Sequence, residues 1–227
     1  MYETAPRLGI LRLDTTFERT VGDAGNPASW PFPVHIEVVA GAQARPTVEG
    51  RIDLAPFVAA MHRCEAAGVS AITTTCGFLA REQRALASAS RVPVATSALL
   101  AYPMLRARWA AEPAARIGIL TISAEAFDAA LARAAGLDAQ AIVVGLPHDG
   151  VFARVFLDAT APLDAAALTA EIVAVACAAV EAQPAITGWL LECANMPPYR
   201  RAIAAATGRP VYDALSLGLD LVNGVGF

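Results

Sequence analysis

Lysine is absent from the sequence, so all 17 residues counted as lysine plus arginine are arginines. A pyridoxal phosphate enzyme holds its cofactor on a lysine, and a P-loop places one on its phosphates, so both chemistries are excluded. Charge is scarce: 17% of residues are charged against 56% hydrophobic, a balance that excludes a disordered chain. The net charge is −4 and the arginines are scattered, which argues against a nucleic-acid partner. The sequence also lacks any Cys-x-x-Cys pair, and its histidines (His35, His62, His148) lie far from the cysteines, so a zinc site is poorly supported. The stretch Met1–Arg7 carries an early acid and no apolar run, so a signal peptide is not expected. The longest apolar stretch, near 165–182, is rich in alanine and broken by Glu171 and Glu181, as in a buried helix rather than a membrane span. A cytoplasmic protein with reduced cysteines and no membrane partner is expected.

Short apolar runs alternate with alanine-rich helical stretches, the pattern of an α/β protein with parallel sheets. Strands are expected at 8–11, 34–39, 71–74, 92–96, 117–122, 142–144, 189–192 and 211–213. Helices are expected at 54–67, 78–90, 98–110, 124–135, 150–157, 164–182, 198–206 and 214–222. The chain also repeats itself. Arg7-Leu8-Gly9-Ile10-Leu11 returns 109 positions later as Arg116-Ile117-Gly118-Ile119-Leu120, and Pro93 returns 117 positions later as Pro210. Cys76 and Cys193 are separated by the same 117 positions. Together these echoes place the two cysteines at equivalent points of two copies of one βαβ unit.

Ligands of parallel α/β units gather at the carboxyl ends of the strands. Cys76 follows the run Ala71-Ile72-Thr73-Thr74, and Cys193 follows Trp189-Leu190-Leu191-Glu192, each just before a helix. Free backbone N–H groups and the helix dipole at such turns favour a thiolate or a bound carboxylate. Cys64 and Cys177 lie mid-helix in apolar surroundings and read as core residues. Glu192, a strand neighbour of Cys193, should point to the opposite face in a structural role. His148 reads as a loop residue. Trp30 and Phe32, in the long segment 15–33, fit a lid, a dimer contact or a loop packed on the core equally well.

These residues resemble the aspartate/glutamate/hydantoin racemase superfamily in the Leu-Gly-Ile-Leu opening, the Thr-Thr-Thr-Cys-Gly turn, the Arg-Ile-Gly-Ile-Leu restart and the Leu-Leu-Glu-Cys turn. The resemblance implies two pseudo-symmetric Rossmann-like α/β domains, each a parallel sheet flanked by helices, with the active site in the cleft between them. The first would comprise residues 1–98 plus about 214–227, and the second 99–213. It further implies an isomerase that needs no cofactor, with Cys76 and Cys193 facing each other as acid and base. Asp14 matches by position the polar or acidic residue that such relatives hold beside the first cysteine. Thr75, Gly77, Phe78, Ala194 and Asn195 flank the cysteines and would contact a small carboxylate substrate. Amino-acid racemases of this kind commonly carry Asn-Thr after the first cysteine and Thr after the second. This chain has Gly77-Phe78 and Ala194-Asn195 instead, which points away from aspartate or glutamate.

Inverting a carbon α to a carboxylate requires removal of a proton from one face and delivery of another to the opposite face, work that a thiolate and a thiol can share. Racemisation or epimerisation of an amino acid or a derivative is therefore the leading expectation. The alternatives are a maleate-type cis–trans isomerase or a related decarboxylase on the same scaffold. A non-catalytic binding protein and a thiol–disulfide switch are weaker alternatives. A homo-oligomer is compatible with all of them.

Overall fold

The computed structural model describes residues 8–110 and 112–227. Arg7 of the first repeat copy, and the stretch Met1–Arg7 read for a signal peptide, lie outside the described residues. Among the described residues eight strands form two four-stranded sheets. The first holds β1 (Leu8–Leu13), β2 (Val34–Val39), β3 (Ala71–Thr74) and β4 (Val94–Ala95), and the second holds β5 (Arg116–Thr121), β6 (Ile142–Gly145), β7 (Ile186–Leu191) and β8 (Val211–Tyr212). All pairings are parallel, and the orders β2-β1-β3-β4 and β6-β5-β7-β8 are the same order written twice. The central strands read as unbroken apolar runs because helices cover both faces of such sheets. Leu8, Ile10 and Leu11 of β1 and Ile117, Ile119 and Leu120 of β5 are fully buried, each such side chain contributing roughly 1.5–3 kcal/mol.

The helices are α1 (Ala44–Val48), α2 (Ala55–Ala66), α3 (Gln83–Ala89), α4 (Tyr102–Trp109), α5 (Ala129–Ala134), α6 (Val151–Phe156), α7 (Ala165–Ala182), α8 (Arg200–Thr207) and α9 (Ala214–Val222). Helix α2 lies on β1 because Gly9 leaves room for it; a Cβ there would sit 3.1 Å from the Cβ of Cys64. Cys64 is thus a core residue, its thiol pushed up to about 12 chiefly by burial. Cys177 departs from expectation: it lies on the half-buried flank of α7, whose core positions are Leu168, Ile172 and Ala176. Helix α7 is long and apolar enough to cross a membrane by length and composition. Here it is tied to α6, since its Glu171 carboxylate accepts the N–H groups of Val151 and Phe152 at the start of that helix, at 2.7 and 2.8 Å. Helix α9 packs over the first sheet, with Gly218 against Trp30 and Leu8.

Three differences from the sequence expectation shape the site. The expected helix 78–90 opens as a 3-10 turn over Gly77–Glu82 before α3 begins. The expected helix 124–135 is only α5, because Asp128 caps it by accepting the Leu131 N–H at 2.7 Å. Strand β7 ends at Leu191, so Glu192 is outside the pleat and its side chain is released from strand alternation.

Candidate active site

Each cysteine stands two residues beyond the end of its strand, Cys76 after Thr74 and Cys193 after Leu191. Both turns are anchored the same way: the Thr75 N–H donates to Leu11 O at 3.1 Å, and the Glu192 N–H donates to Leu120 O at 2.9 Å. The two sheets direct their carboxyl ends at each other, and both thiols line one narrow void between them. Thr75, Gly77, Phe78 and Asn195 line it too, with Glu192 and the apolar side chains of Ile122 and Phe156. Among the described residues no arginine or histidine lines it. Among the described residues no three His, Cys, Asp or Glu converge as metal ligands.

Glu192 is the cleft-lining residue that strand alternation misplaces. It does not face away into a structural position; it is 2% exposed and borders the void beside Cys193. Its Oε2 accepts from the Thr121 hydroxyl at 2.9 Å and from the Ile122 N–H at 3.4 Å, and the Gly77 N–H donates to the carboxyl from the other half. Burial raises this carboxyl to about 7 against those donors. Gly77 is required by the same contact, because a Cβ there would lie 2.3 Å from both Glu192 Oε1 and Glu192 O. The asparagine that related racemases carry at this point therefore has no room. Gly77→Ala is expected to destabilise the fold by about 1–3 kcal/mol through overpacking, read from urea unfolding. A loss within about 0.5 kcal/mol would show that Glu192 withdraws freely.

The second missed residue is Asp23. Asn195 Nδ2 donates to Asp23 Oδ2 at 2.5 Å, which fixes the amide so that Oδ1 faces the sulfur of Cys193 and accepts its S–H at 3.4 Å. Asp23 is held by Arg19 at 2.9 Å and by the Gly25 N–H at 2.7 Å. Trp30 of the segment 15–33 is packed on the core: it is buried, its Nε1 donates to Ala24 O, and the Ala24 N–H donates to Ala194 O at 3.1 Å. Ala194 contributes that carbonyl while its side chain is buried.

Asp14 is a correction. It is exposed, its Oδ2 accepts the Gly41 N–H at 3.0 Å, and it borders an adjoining cavity with Thr15, Phe17 and Arg45 rather than the cysteine cleft. The reason is that β1 runs two residues further than expected, to Leu13, and carries Asp14 past the sheet edge. His148 is exposed and outside the cleft, as a loop residue should be.

The two thiols differ in surroundings. Burial, then the Glu192 carboxylate, push Cys76 up to about 12, while the Phe78 and Leu79 N–H groups and Arg81 pull the other way. Burial and then Glu192 push Cys193 well up, with Cys76 and Asp23 adding to the rise and the Asn195 N–H opposing it. Both thiols are thus pushed toward the neutral form, and Cys76 has the more groups that favour its anion.

A doubly written parallel sheet with paired turn cysteines is a fold that this chain shares with solved racemases and a decarboxylase. Its fold is similar to that of allantoin racemase from Klebsiella pneumoniae, with a TM-score of 0.62 at 16% identity over 97% of this chain and 87% of that one. Arylmalonate decarboxylase is similarly close, with a TM-score of 0.60 at 18% identity over 96% and 93%. No family model matches the sequence. The chain is 30% identical over 220 residues to a dimethylsulfoniopropionate lyase of Durusdinium sp. clade D, covering 92% of this chain and 71% of the relative. It is 34% identical over 237 residues to dimethylsulfoniopropionate lyase 5 of Emiliania huxleyi (strain CCMP1516), covering 96% of this chain but only 45% of that relative. The chain belongs to the dimethylsulfoniopropionate lyase family, and it spans less than half the length of the Emiliania relative. Its named sequence relatives are lyases, which displaces the expectation of a racemase from the leading position.

Proposed function

We propose that this chain is a cofactor-independent lyase that cleaves a carboxylate bearing a cationic leaving group on its β-carbon, with dimethylsulfoniopropionate as the model substrate. The observation that carries this reading is a cleft lined, among the described residues, by two thiols and a carboxyl but by no basic side chain. A dicarboxylate such as aspartate, glutamate or a malonate would bring two negative charges into that cleft, and the nearby Arg81 is already engaged with Val48 O and Asp128. A zwitterion with one carboxylate and one onium group brings its own.

The step begins when a thiolate removes the α-proton and becomes a thiol. The electron pair of the broken C–H bond forms the Cα=Cβ double bond, and the Cβ–S bond breaks with its electrons going to sulfur. The products are acrylate and neutral dimethyl sulfide, and the thiol returns its proton to solvent. Only one base is needed, because no proton has to be delivered to the other face. The developing negative charge on the substrate carboxylate would be met by N–H groups of the two cysteine turns. A thiol pushed up by burial and by a nearby carboxylate is hard to ionise, but a positive charge placed beside it by the substrate reverses that bias. The substrate thereby helps to generate its own base.

The test is incubation of the purified protein with dimethylsulfoniopropionate, with headspace gas chromatography for dimethyl sulfide and proton NMR for acrylate. Stoichiometric dimethyl sulfide and acrylate are expected, with no inversion of L-aspartate, L-glutamate or a 5-substituted hydantoin. Inversion of any of these without dimethyl sulfide release from the sulfonium compound would restore the racemase reading.

A further inference from the structure

The pseudo-symmetry of the fold isolates one atom that it does not explain. Thr75 and Glu192 occupy equivalent positions, each immediately before a cysteine and each donating its N–H to the preceding central strand. In the first half the Leu13 N–H donates to the Thr75 hydroxyl at 3.1 Å. In the second half the equivalent Ile122 N–H donates to Glu192 Oε2. A hydroxyl therefore suffices for the backbone task that the two residues share. Glu192 brings in addition a second oxygen, Oε1, which crosses to lie against Gly77 and is accommodated only because residue 77 has no side chain. Among the described residues no arginine or histidine lies within salt-bridge distance of this carboxyl. Arg81, the cation acting on it from further off, is pinned to Val48 O and Asp128 instead. A carboxylate buried without a counter-ion is costly, and it is held either by a proton or by a cation arriving with a ligand.

We infer that Glu192 is the residue that reads the onium group of the substrate, restricting the cleft to carboxylates whose β-substituent is positively charged. This rests on the lyase reading for the identity of the onium group, while the recognition itself is a property of binding. Phe78 and Phe156, which also line the void, offer aromatic surface to the methyl groups of such a cation. The carboxylate ranks onium against neutral substituents of equal shape, and the aromatic rings by themselves would discriminate much less.

Two shape-matched ligands test this by calorimetry: 3-(trimethylammonio)propionate and its uncharged carbon isostere 4,4-dimethylpentanoate. The wild-type protein should bind the cation at least ~10-fold more tightly at pH 8, where a carboxyl titrating near 7 is mostly ionised. Glu192→Gln should bring the two affinities to within about threefold, chiefly by weakening the cation. Should Glu192→Gln fail to fold, Glu192→Asp, which keeps the charge but withdraws it by one methylene, should reduce the preference below that of wild type. Equal affinities in the wild-type protein, or a preference that survives unchanged in a folded variant, overturn the inference. Dimethyl sulfide release distinguishes the two claims. If the ligand pair is discriminated through Glu192 but no dimethyl sulfide is released, the lyase reading falls and the cation site stands. If dimethyl sulfide is released while the pair binds equally, the reverse holds.

Discussion

Cys76→Ser is expected to lower dimethyl sulfide release by ~10³-fold or more, whereas Cys193→Ser should cost only about 10- to 100-fold, magnitudes typical of losing a general base and of losing a hydrogen-bond donor. The asymmetry follows from what surrounds each sulfur. The Phe78 and Leu79 N–H groups and Arg81 favour the anionic form of Cys76. Cys193 instead donates its S–H to Asn195 Oδ1, an arrangement that favours the protonated thiol. Asp23 enforces it from across the molecule by holding the amide nitrogen. A serine at position 193 still donates a hydrogen bond, but a serine at position 76 is far too weak an acid to serve as the base. Steady-state kcat/KM for each variant, with circular dichroism to confirm folding, gives the answer. A two-base racemase would behave differently, each single variant sparing α-proton exchange from one enantiomer. Equal losses in the two variants, or a larger loss at Cys193, would remove Cys76 from the role of base.

Much of this geometry was legible in the sequence, and what was not has identifiable causes. The repeat of Leu-Gly-Ile-Leu and the matched spacing of the cysteines set out the two sheets, because parallel strands buried on both faces leave continuous apolar runs. The same spacing put Cys76 and Cys193 in one cleft. Glu192 was misplaced because alternation was extended one residue beyond the end of β7, where the pleat no longer governs direction. Asp23 carried no local signal: its partner Asn195 is 172 positions away, and nothing in the composition of the segment 15–33 distinguishes it from a surface loop. Asp14 matches the racemase pattern by position alone, and the two extra residues of β1 carry it out of the cleft, while Asp23 holds Asn195 beside the other cysteine. Both misreadings concern acidic groups beside the cysteine turns, Glu192 against Gly77 and Asp23 on Asn195, the two positions where the sequence departs from the amino-acid racemase pattern.

Glu192 should also leave its mark on folding stability. Its carboxyl is raised from the ordinary 4.5 to about 7 in the native protein, first by burial. At pH values below the unfolded pKa both states hold the proton, and the group has no effect. Between about 4.5 and 7 the unfolded chain releases the proton while the native state keeps it, so the native state loses stability as pH rises, and above the folded pKa the loss is complete. A shift of this size corresponds to about 3 kcal/mol. The carboxyls of Glu37, Glu65, Asp128 and Asp138 are lowered and act in the opposite sense at more acidic pH, and buried Asp213 is raised, but all of them are common to wild type and variant. The difference between wild type and Glu192→Gln therefore isolates the one group. Urea unfolding at intervals from pH 4.5 to 8 should show wild type losing about 3 kcal/mol more than the variant across that range. A ligand that brings a cation to the ionised carboxylate should restore much of the loss at pH 8 in wild type and little of it in the variant. Parallel pH profiles for the two proteins would mean that Glu192 titrates normally and that the cleft is wet rather than closed around it.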